Sequence, residues 1–294
     1  MDGARDPCET CLVSPVKRAL PSLLFASLLA ACIRPRPALS VTDASAPTRT
    51  APPPDLAPVA PALAPPAPVP APDPAPTIPY VERVAGGAQA QDTLPLVVAL
   101  HGLGDTPDSF IELVTSMNLR ARVVAPRGLD PWGPGYSWFV SRREAAPEVW
   151  AAGIRRAADA VIPLIRTLRA SRPTCGLPVV MGFSQGGMLS YAIVAREDAG
   201  VGAALPISGV IPRSLWPAER PIGGMLPSVW AFHGTVDDRV PFADDRATHA
   251  HFVRVGFPGR FREYPNVGHS ITPAMARDVR ETLVETLRSL GCAS

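Results

Sequence analysis

Short runs of apolar residues, each of strand length, recur along the chain from residue 94 onward. Continuous runs of this kind, without alternating polar positions, are typical of strands that are buried on both faces of a parallel sheet. The pattern predicts strands at Leu94–Leu100, Val123–Ala125, Leu177–Met181, Ala203–Ile207 and Val229–Phe232. These strands are expected to form the centre of one domain.

Segments with apolar residues at helical spacing lie between and after these runs. They predict helices at Ser109–Met117, Glu148–Leu168, Gly187–Arg196, Ala243–Val255 and Pro273–Leu290. Alternation of strand and helix predicts the α/β class, with a mostly parallel central sheet and helices on both of its faces. Because catalytic groups in such folds gather at the carboxyl ends of the strands, the residues that follow each strand are the first candidates for a functional site.

A different pattern occupies the first 32 residues. The basic pair Lys17-Arg18 is followed by an apolar run of about 14 residues that ends at Cys32, which is typical of a secretory signal peptide. The run is shorter than the roughly 20 residues that a membrane-spanning helix needs. Residues 29–32 (LAAC) resemble a bacterial lipobox, which predicts lipidation of Cys32 and export to the cell envelope of a bacterium. The alternative is an ordinary secretory signal cut near Ala31, which would leave the protein periplasmic or secreted.

Residues 33–80 are too rich in proline and alanine to form a core. They contain 16 prolines and 11 alanines in 48 positions. Proline fixes φ and removes backbone donors, so this segment is predicted to be an extended linker that reaches about 150 Å when stretched. A ligand for a proline-binding module is the alternative, although no PxxP site with a well-placed basic flank stands out. The remaining residues, 81–294, are predicted to form one globular domain.

Charge and cysteine content narrow the possible partners only slightly. The chain carries 28 basic and 26 acidic residues, and no basic stripe favours nucleic acid as a partner. Cys8 and Cys11 form a CxxC pair, but no second pair supports a zinc site. Cys175 and Cys292 could pair in an oxidising compartment, but residue types do not show whether their Cα atoms lie within about 7 Å, so free thiols are expected.

A glycine-rich motif follows the predicted strand that ends at Met181. Residues 182–187 read GFSQGG and contain a GxSxG pattern between a strand and a helix. The glycines permit a sharp turn that lifts the hydroxyl of Ser184 clear of the sheet, beside a helix N-terminus. Ser184 is therefore the candidate nucleophile, and an idle serine in a glycine-rich turn is the alternative.

The loop at residues 101–105 (HGLGD) is a candidate source of hydrogen-bond donors. The backbone N–H groups of Leu103 and of Gln185 are predicted to form an oxyanion hole, which stabilises charge that develops on a carbonyl oxygen. His101 lies at a strand end and is expected to be structural rather than a base. Asp105 is expected to be a loop or cap residue.

A serine hydroxyl becomes a good nucleophile when an imidazole takes its proton and a carboxylate orients that imidazole. Asp237 follows the strand that ends at Phe232, and His269 precedes the last predicted helix. Asp238 is a rival for the acid, because spacing alone does not separate adjacent carboxylates. His249 and His251 lie in a helical pattern and are expected at the surface, with no ligand set for zinc.

Together these motifs resemble the phospholipase/carboxylesterase family of small α/β hydrolases, which includes bacterial carboxylesterases and acyl-protein thioesterases. The resemblance spans about residues 94–290 and rests on HGLGD at 101–105, GFSQGG at 182–187, HGTVDDRVP at 233–241 and GHS at 268–270. It implies the α/β-hydrolase fold, in which nucleophile, acid and histidine follow in that order.

The resemblance also implies a role for each candidate residue. Ser184 would be the nucleophile, His269 the general base and acid, and Asp237, rather than Asp238, the orienting carboxylate. Residues 136–139 (YSWF) resemble the segment beside the family's acyl pocket, so Trp138 and Phe139 are expected to contact the substrate. An Asp often follows this aromatic pair in the family, whereas Val140 stands here.

The function implied is hydrolysis of small carboxylic esters through an acyl-enzyme, with no metal and no organic cofactor. Trp132 and Trp150 could add to an apolar acyl site. Alternatives with the same chemistry are a lysophospholipase or thioesterase, a polyester or feruloyl esterase, and a peptidase. A further alternative is a surface-tethered binding domain that has kept the hydrolase scaffold without its chemistry.

Overall fold

A seven-stranded sheet forms the centre of the protein in its computed structural model, which describes residues 78–218 and 226–292. The strands are β1 (Tyr80–Ala85), β2 (Leu96–Leu100), β3 (Ala121–Pro126), β6 (Val179–Phe183), β7 (Ala203–Ile207), β8 (Ser228–Gly234) and β9 (Gly259–Tyr264). Their order in the sheet is β1-β3-β2-β6-β7-β8-β9. A separate two-stranded hairpin contains β4 (Asp130–Trp132) and β5 (Gly135–Ser137).

All pairings in the large sheet are parallel except one at its edge. Strand β1 pairs antiparallel with β3, from Tyr80 opposite Pro126 to Ala85 opposite Ala121. Every residue of β2, β3 and β7 is buried, as the continuous apolar runs predict. The carboxyl ends of the central strands β2, β6 and β8 therefore lie at one edge of the sheet, where the loops after them meet.

Five α-helices cover the two faces of the sheet. They are α1 (Pro107–Thr115), α2 (Pro147–Ser171), α3 (Gln185–Val194), α4 (Phe242–Arg254) and α5 (Pro273–Ser289). Apolar residues of α2, α3 and α4 belong to the core on one face, and those of α1 and α5 belong to the core on the other. Helices α1 and α5 begin alike, with a threonine cap followed by a proline: Thr106 accepts a hydrogen bond from the Ser109 N–H, and Thr272 accepts one from the Met275 N–H.

The predicted linker extends one residue too far toward the C-terminus. It assigned residues 33–80 to a linker, but β1 begins at Tyr80 and is paired along its whole length. The predicted signal peptide, the lipobox at Cys32 and the linker up to residue 77 lie outside the described residues. No helix in the described segments combines the length and the hydrophobicity that crossing a membrane requires.

The prediction of free thiols at Cys175 and Cys292 is wrong. The two sulfur atoms are bonded, and the Cα atoms are 5.4 Å apart although the residues are separated by 117 positions. The bond joins the segment before β6 to the segment after α5. These segments are distant in sequence, so the pairing became visible only once the sheet and α5 placed them side by side.

Candidate active site

Ser184 occupies a sharp turn between β6 and α3. Its backbone has φ 56° and ψ −115°, a conformation that residues other than glycine rarely adopt. The neighbouring glycines make this turn possible. A Cβ on Gly186 would lie 1.9 Å from the Leu100 carbonyl oxygen, and a Cβ on Gly182 would lie 2.4 Å from the Gly186 backbone. The GxSxG sequence is therefore required by the close approach of three backbone segments.

His269 comes from the loop between β9 and α5 and reaches the Ser184 hydroxyl. Its Nε2 is 2.9 Å from Ser184 Oγ, and its ring packs against that of Phe183 with centroids 4.7 Å apart. Its Nδ1 is 2.7 Å from Asp237 Oδ2. Because an ionised carboxylate only accepts hydrogen bonds, Nδ1 is assigned the proton, which leaves Nε2 free to accept the serine O–H.

Asp237 is held by the loop after β8. Its Oδ1 accepts hydrogen bonds from the backbone N–H groups of Arg239 at 2.9 Å and Val240 at 2.8 Å. Burial alone would raise the pKa of the Asp237 carboxyl, but hydrogen bonds from His233, His269 and the Val240 N–H outweigh it and hold the pKa well below its usual range. Asp237 is thus an ionised hydrogen-bond acceptor for His269 across the neutral pH range.

The structure separates the two rival carboxylates of this loop. The Asp237 side chain is fully buried against His269. Asp238 is exposed, and its backbone carbonyl accepts a hydrogen bond from Arg143. The structure therefore brings Asp237, and not Asp238, together with His269 and Ser184.

Leu103 and Gln185, the predicted oxyanion-hole residues, both line the cavity that contains Ser184 and His269. Within the described residues neither backbone N–H has a hydrogen-bond partner. Gln185 is the first residue of α3, so its N–H has no acceptor within the helix. Two unpaired donors beside a nucleophile are the arrangement that oxyanion stabilisation requires.

The side chain of Gln185 serves a different purpose. Its Oε1 accepts hydrogen bonds from the backbone N–H of Trp138 at 3.0 Å and from the Ser137 hydroxyl at 3.3 Å, and its Nε2 donates to the Phe139 carbonyl at 2.7 Å. This buried amide fixes the aromatic segment 136–139 beside the nucleophile turn.

The cavity at Ser184 has a volume of about 300 Å³. Its apolar lining includes Trp132, Phe139, Phe183 and Met188, and its charged lining includes three arginines and Asp105. The volume suits a small substrate group rather than a long acyl chain enclosed along its length.

The structure corrects the prediction for Trp138. Phe139 lines the cavity as expected, but Trp138 is fully buried beneath it, and its Nε1 donates to the His101 carbonyl at 2.9 Å. Trp150 is likewise buried and absent from the lining, whereas Trp132 contributes to it. Gln185 holds the backbone at Trp138 and Phe139, and in this conformation the Trp138 ring is directed toward His101 while the Phe139 ring reaches the cavity.

The remaining histidines have structural contacts. His101 is buried, its Nδ1 donates to the Gly102 carbonyl at 2.7 Å, and its Nε2 accepts the Gly128 N–H at 3.0 Å. Burial lowers the pKa of His101, which keeps the ring neutral. His249 was expected at the surface but is buried, and it donates to the Val229 carbonyl. His251 is half-buried against Pro217. The described part of the chain contains no cluster of three potential metal ligands.

A buried polar network behind Asp237 was not predicted from the sequence. It contains His233, Asp245 and Tyr191, which come from β8, α4 and α3. His233 belongs to the HGTVDDRVP motif, but nothing in the spacing indicates that its ring would contact Asp237. Asp245 and Tyr191 carry no sequence signal, because their partner is contributed by another element of the fold.

Comparison with known proteins concerns the domain as a whole. Residues 82–287 match the phospholipase/carboxylesterase family. An acyl-protein thioesterase 1 of Debaryomyces hansenii is 26% identical over 227 residues, which cover 71% of this chain and 98% of the relative. A probable carboxylesterase of Oryza sativa subsp. japonica is 36% identical over 95 residues, which cover 32% of this chain and 35% of the relative.

Solved structures share the same architecture. A carboxylesterase of Bacillus cereus superposes with a TM-score of 0.57 at 16% identity, covering 71% of this chain and 94% of the other. An acyl-protein thioesterase 2 of Zea mays gives a TM-score of 0.55 at 20% identity, covering 71% and 99%. At these identities the likeness concerns the fold, which is the α/β-hydrolase fold. Since the family match extends over most of the described domain, the chain belongs to the phospholipase/carboxylesterase family.

Proposed function

We propose that the protein is a serine esterase that hydrolyses small carboxylic esters. The observation that carries this proposal is the unbroken hydrogen-bond chain from Ser184 Oγ through His269 to Asp237, which opens into a cavity with two unpaired N–H donors. A hydroxyl, a base, an orienting carboxylate and an oxyanion site together are what acyl transfer to serine needs.

In the first half of the reaction, Ser184 Oγ attacks the ester carbonyl carbon while its proton passes to His269 Nε2. The oxygen of the tetrahedral intermediate accepts hydrogen bonds from the N–H groups of Leu103 and Gln185. When the intermediate collapses, His269 gives its proton to the departing alcohol, and the acyl group remains on Ser184.

In the second half, a water molecule replaces the alcohol. His269 takes a proton from this water, whose oxygen attacks the acyl carbon, and the proton then returns to Ser184 Oγ as the acid leaves. Asp237 accepts the Nδ1–H bond throughout and stabilises the imidazolium without taking its proton. No step in this scheme needs a metal or an organic cofactor.

Thioester hydrolysis is the second candidate. The relative of which this chain covers 98% is named an acyl-protein thioesterase. The same serine chemistry cleaves a thioester, with a thiol as the leaving group. The cavity volume of about 300 Å³ favours small acyl groups in either case.

We also propose that the protein is exported and anchored to a membrane through a lipid on Cys32. The lipobox-like residues 29–32 and the proline-rich linker support this. A bond between Cys175 and Cys292 is also the kind of feature that persists in oxidising compartments outside the cytoplasm. Mass spectrometry of the mature N-terminus tests the anchor: diacylglycerol on Cys32 is expected, and a mature chain that begins elsewhere contradicts it.

The catalytic proposal is tested with Ser184→Ala. Removal of the nucleophile is expected to lower kcat on a p-nitrophenyl ester by about a million-fold, because the members of such a triad act as a unit. It is also expected to abolish labelling by a fluorophosphonate. Ser116→Ala, at an exposed serine that ends α1, is the matched control and should retain both properties. Unchanged turnover by Ser184→Ala would reject the mechanism.

A further inference from the structure

The lining of the active-site cavity contains three arginines, namely Arg142, Arg143 and Arg239. Asp105 is the carboxylate that lines the same cavity, and its Oδ1 already accepts the Thr106 N–H at 2.8 Å. Three cations therefore face one acid. Charge in a cleft with apolar walls attracts oppositely charged ligands more strongly than the same charge on an open surface.

Within the described part of the chain, a carboxylate neutralises only one of the three guanidinium groups. Arg142 Nη1 is 2.9 Å from Asp244 Oδ2. Arg143 Nη2 donates to the backbone carbonyl of Asp238 at 2.5 Å, and this carbonyl carries no net charge. The side chain of Arg239 has no partner among residues 78–218 and 226–292. Arg143 and Arg239 therefore present uncompensated charge to a bound substrate.

We propose that Arg143 and Arg239 form an anion-binding subsite, so that the enzyme prefers esters that carry a carboxylate close to the scissile bond. This proposal rests on the esterase function proposed above. A guanidinium presents paired N–H donors that match a carboxylate, and both side chains lie on loops that also form the catalytic cavity. Arg239 follows the orienting carboxylate Asp237 by two positions, which places its loop beside the reacting groups.

The test compares matched pairs of substrates on the full-length protein. For an anion on the acyl side, p-nitrophenyl hemisuccinate is compared with p-nitrophenyl pentanoate. For an anion on the alcohol side, 3-acetoxybenzoate is compared with 3-acetoxybenzamide. A higher kcat/KM for the anionic member of at least one pair is expected, and the pair that shows it identifies the half of the ester that faces the arginines. The preference should decline as salt is added.

Arg143→Gln and Arg239→Gln assign the preference to these residues. Each is expected to lower the ratio of kcat/KM for anionic over neutral ester by about fivefold, the size of one partly exposed ion pair, while turnover of the neutral ester persists. Arg260→Gln, at an exposed arginine of β9 that lines a different cavity, is the control and should leave the ratio unchanged. The subsite would be overturned if the wild type showed no preference for the anionic esters. It would also be overturned if the ratio of kcat/KM for anionic over neutral ester were unchanged in Arg143→Gln/Arg239→Gln. Absence of activity on every ester would instead contradict the esterase proposal.

A second, independent observation concerns His233, which is fully buried behind the orienting carboxylate. Its Nδ1 is 2.6 Å from Asp245 Oδ2, and its Nε2 is 3.0 Å from the Val240 carbonyl and 3.2 Å from Asp237 Oδ2. Neutral imidazole has one donor and one acceptor nitrogen. Here both nitrogens face oxygens that accept, so both are placed to donate.

The groups around His233 are few and can be named. Asp237 comes from the loop after β8, Asp245 comes from α4, and the rings of Phe242 and Phe261 pack against the imidazole. Tyr191 of α3 donates its hydroxyl to Asp245 Oδ1 at 2.7 Å. His249 of α4 also lies near Asp245, but burial lowers the pKa of His249 and keeps it neutral.

The balance of forces on His233 favours the charged ring. Burial opposes protonation, but hydrogen bonds to Asp237 and Asp245 outweigh it and raise the pKa of His233 to about 9. Burial also raises the pKa of Tyr191, so this hydroxyl remains a donor to Asp245. Burial raises the pKa of the Asp245 carboxyl as well, but the hydrogen bonds from His233 and Tyr191 oppose this rise and stabilise the ionised form. The network therefore contains one imidazolium between two carboxylates.

We infer that His233 is a positioning residue, held as a buried imidazolium, that shares the Asp237 carboxylate with His269. Asp237 Oδ2 accepts from both rings, so the positive charge of His233 offsets part of the negative charge that acts on His269. Loss of this charge would leave the Asp237 carboxylate uncompensated beside His269. His233 would thus extend the pH range of activity toward lower pH without touching the substrate.

Nitrogen NMR of the full-length wild type tests the charge directly. The chain has five histidines, so ¹⁵N-labelled histidine gives few signals. The signals of His233 are assigned by their loss in His233→Gln/Asp245→Asn, which replaces the ion pair by two amides. Both ring nitrogens of His233 are expected to carry protons at pH 7.5. An unprotonated nitrogen at either position would overturn the inference. If the double variant fails to fold, the signals of the other four histidines are assigned from their single variants, and the remaining signals are those of His233.

The kinetic test uses the pH profile, which a purely structural role would not move. In His233→Gln/Asp245→Asn the acidic limb of kcat/KM is expected to shift toward higher pH, because the lost cation contacts Asp237 whereas the lost Asp245 carboxylate lies behind it. The control is His249→Gln, which removes another buried histidine that does not contact Asp237, and its limb should stay in place. A uniform loss of kcat/KM at every pH, with the limb unmoved, contradicts the inference.

Discussion

Asp237 and Asp238 are neighbours in the chain, but their surroundings differ completely. Asp237 is buried with four hydrogen-bond donors around its oxygens, whereas Asp238 is exposed. Asp237→Asn is expected to lower kcat about ten-thousand-fold, because an amide can donate to His269 Nδ1 and so stabilise the wrong tautomer. Asp238→Asn should change kcat by less than about twofold. Steady-state kinetics on one neutral ester measures both, and a large loss at Asp238 alone would reverse the assignment.

Protonation of His233 also links stability to pH. Its pKa in the folded protein is raised to about 9, above the usual value of 6.5, so its contribution to the free energy of unfolding is fully present below pH 6.5. This contribution is lost as the pH rises through 9. We expect a decline of up to about 3 kcal/mol between these limits. Urea unfolding across this range measures the decline, and a flat profile would contradict it.

At the level of single residues, the sequence predicted that Ser184, His269 and Asp237 act together, and the structure brings them within hydrogen-bonding distance. They were predictable because each lies in a short motif next to a recognisable strand or helix. The arginines of the cavity were not predicted, since charged residues in loops have no periodicity that reveals where they point. The role of Trp138 was wrong for a related reason: a pattern of adjacent aromatic residues does not show which ring faces the cavity.

Among the elements, the turn from β6 to α3 is the one most tightly constrained by its sequence. Gly186→Ala would place a Cβ 1.9 Å from a backbone oxygen that cannot move without breaking the sheet. A loss of at least about 3 kcal/mol in the free energy of unfolding is expected. Gly200→Ala is the comparison, because its φ is 66° but no atom lies within 4 Å of the added Cβ, so only about 1 kcal/mol should be lost. If denaturant titrations showed equal losses of unfolding free energy in the two variants, steric crowding at Gly186 would not be the cause.

The central elements were predictable and the edges were not. All five apolar runs are strands and all five helical patterns are helices, because burial on both faces of the sheet leaves a clear signal. Strand β9 (GRFREY) is largely exposed and charged, so it lacks an apolar run. Strand β1 (YVERVA) contains Glu82, which pairs with Arg122 and Arg172, and this ion pairing depends on neighbours that the sequence does not reveal.

At the scale of the whole molecule, the bond between Cys175 and Cys292 is a covalent constraint between distant parts of the chain. It closes a loop with a sequence separation of 117 residues. Cys175→Ala/Cys292→Ala is expected to lose about 4 kcal/mol in the free energy of unfolding, because the unfolded chain regains the freedom that the cross-link removes. Denaturant titration of the double variant, and of the wild type with a reducing agent, should agree. A loss below about 1 kcal/mol would show that the bond contributes little.

The same cross-link also depends on how much of the chain has been synthesised. Its second sulfur follows α5, so the bond cannot close until the ribosome has delivered every strand of the sheet. A nascent or truncated polypeptide without α5 would keep Cys175 available to an alkylating reagent. Mobility on a gel run without reductant would therefore distinguish chains that include Cys292 from shorter ones before any assay of their chemistry.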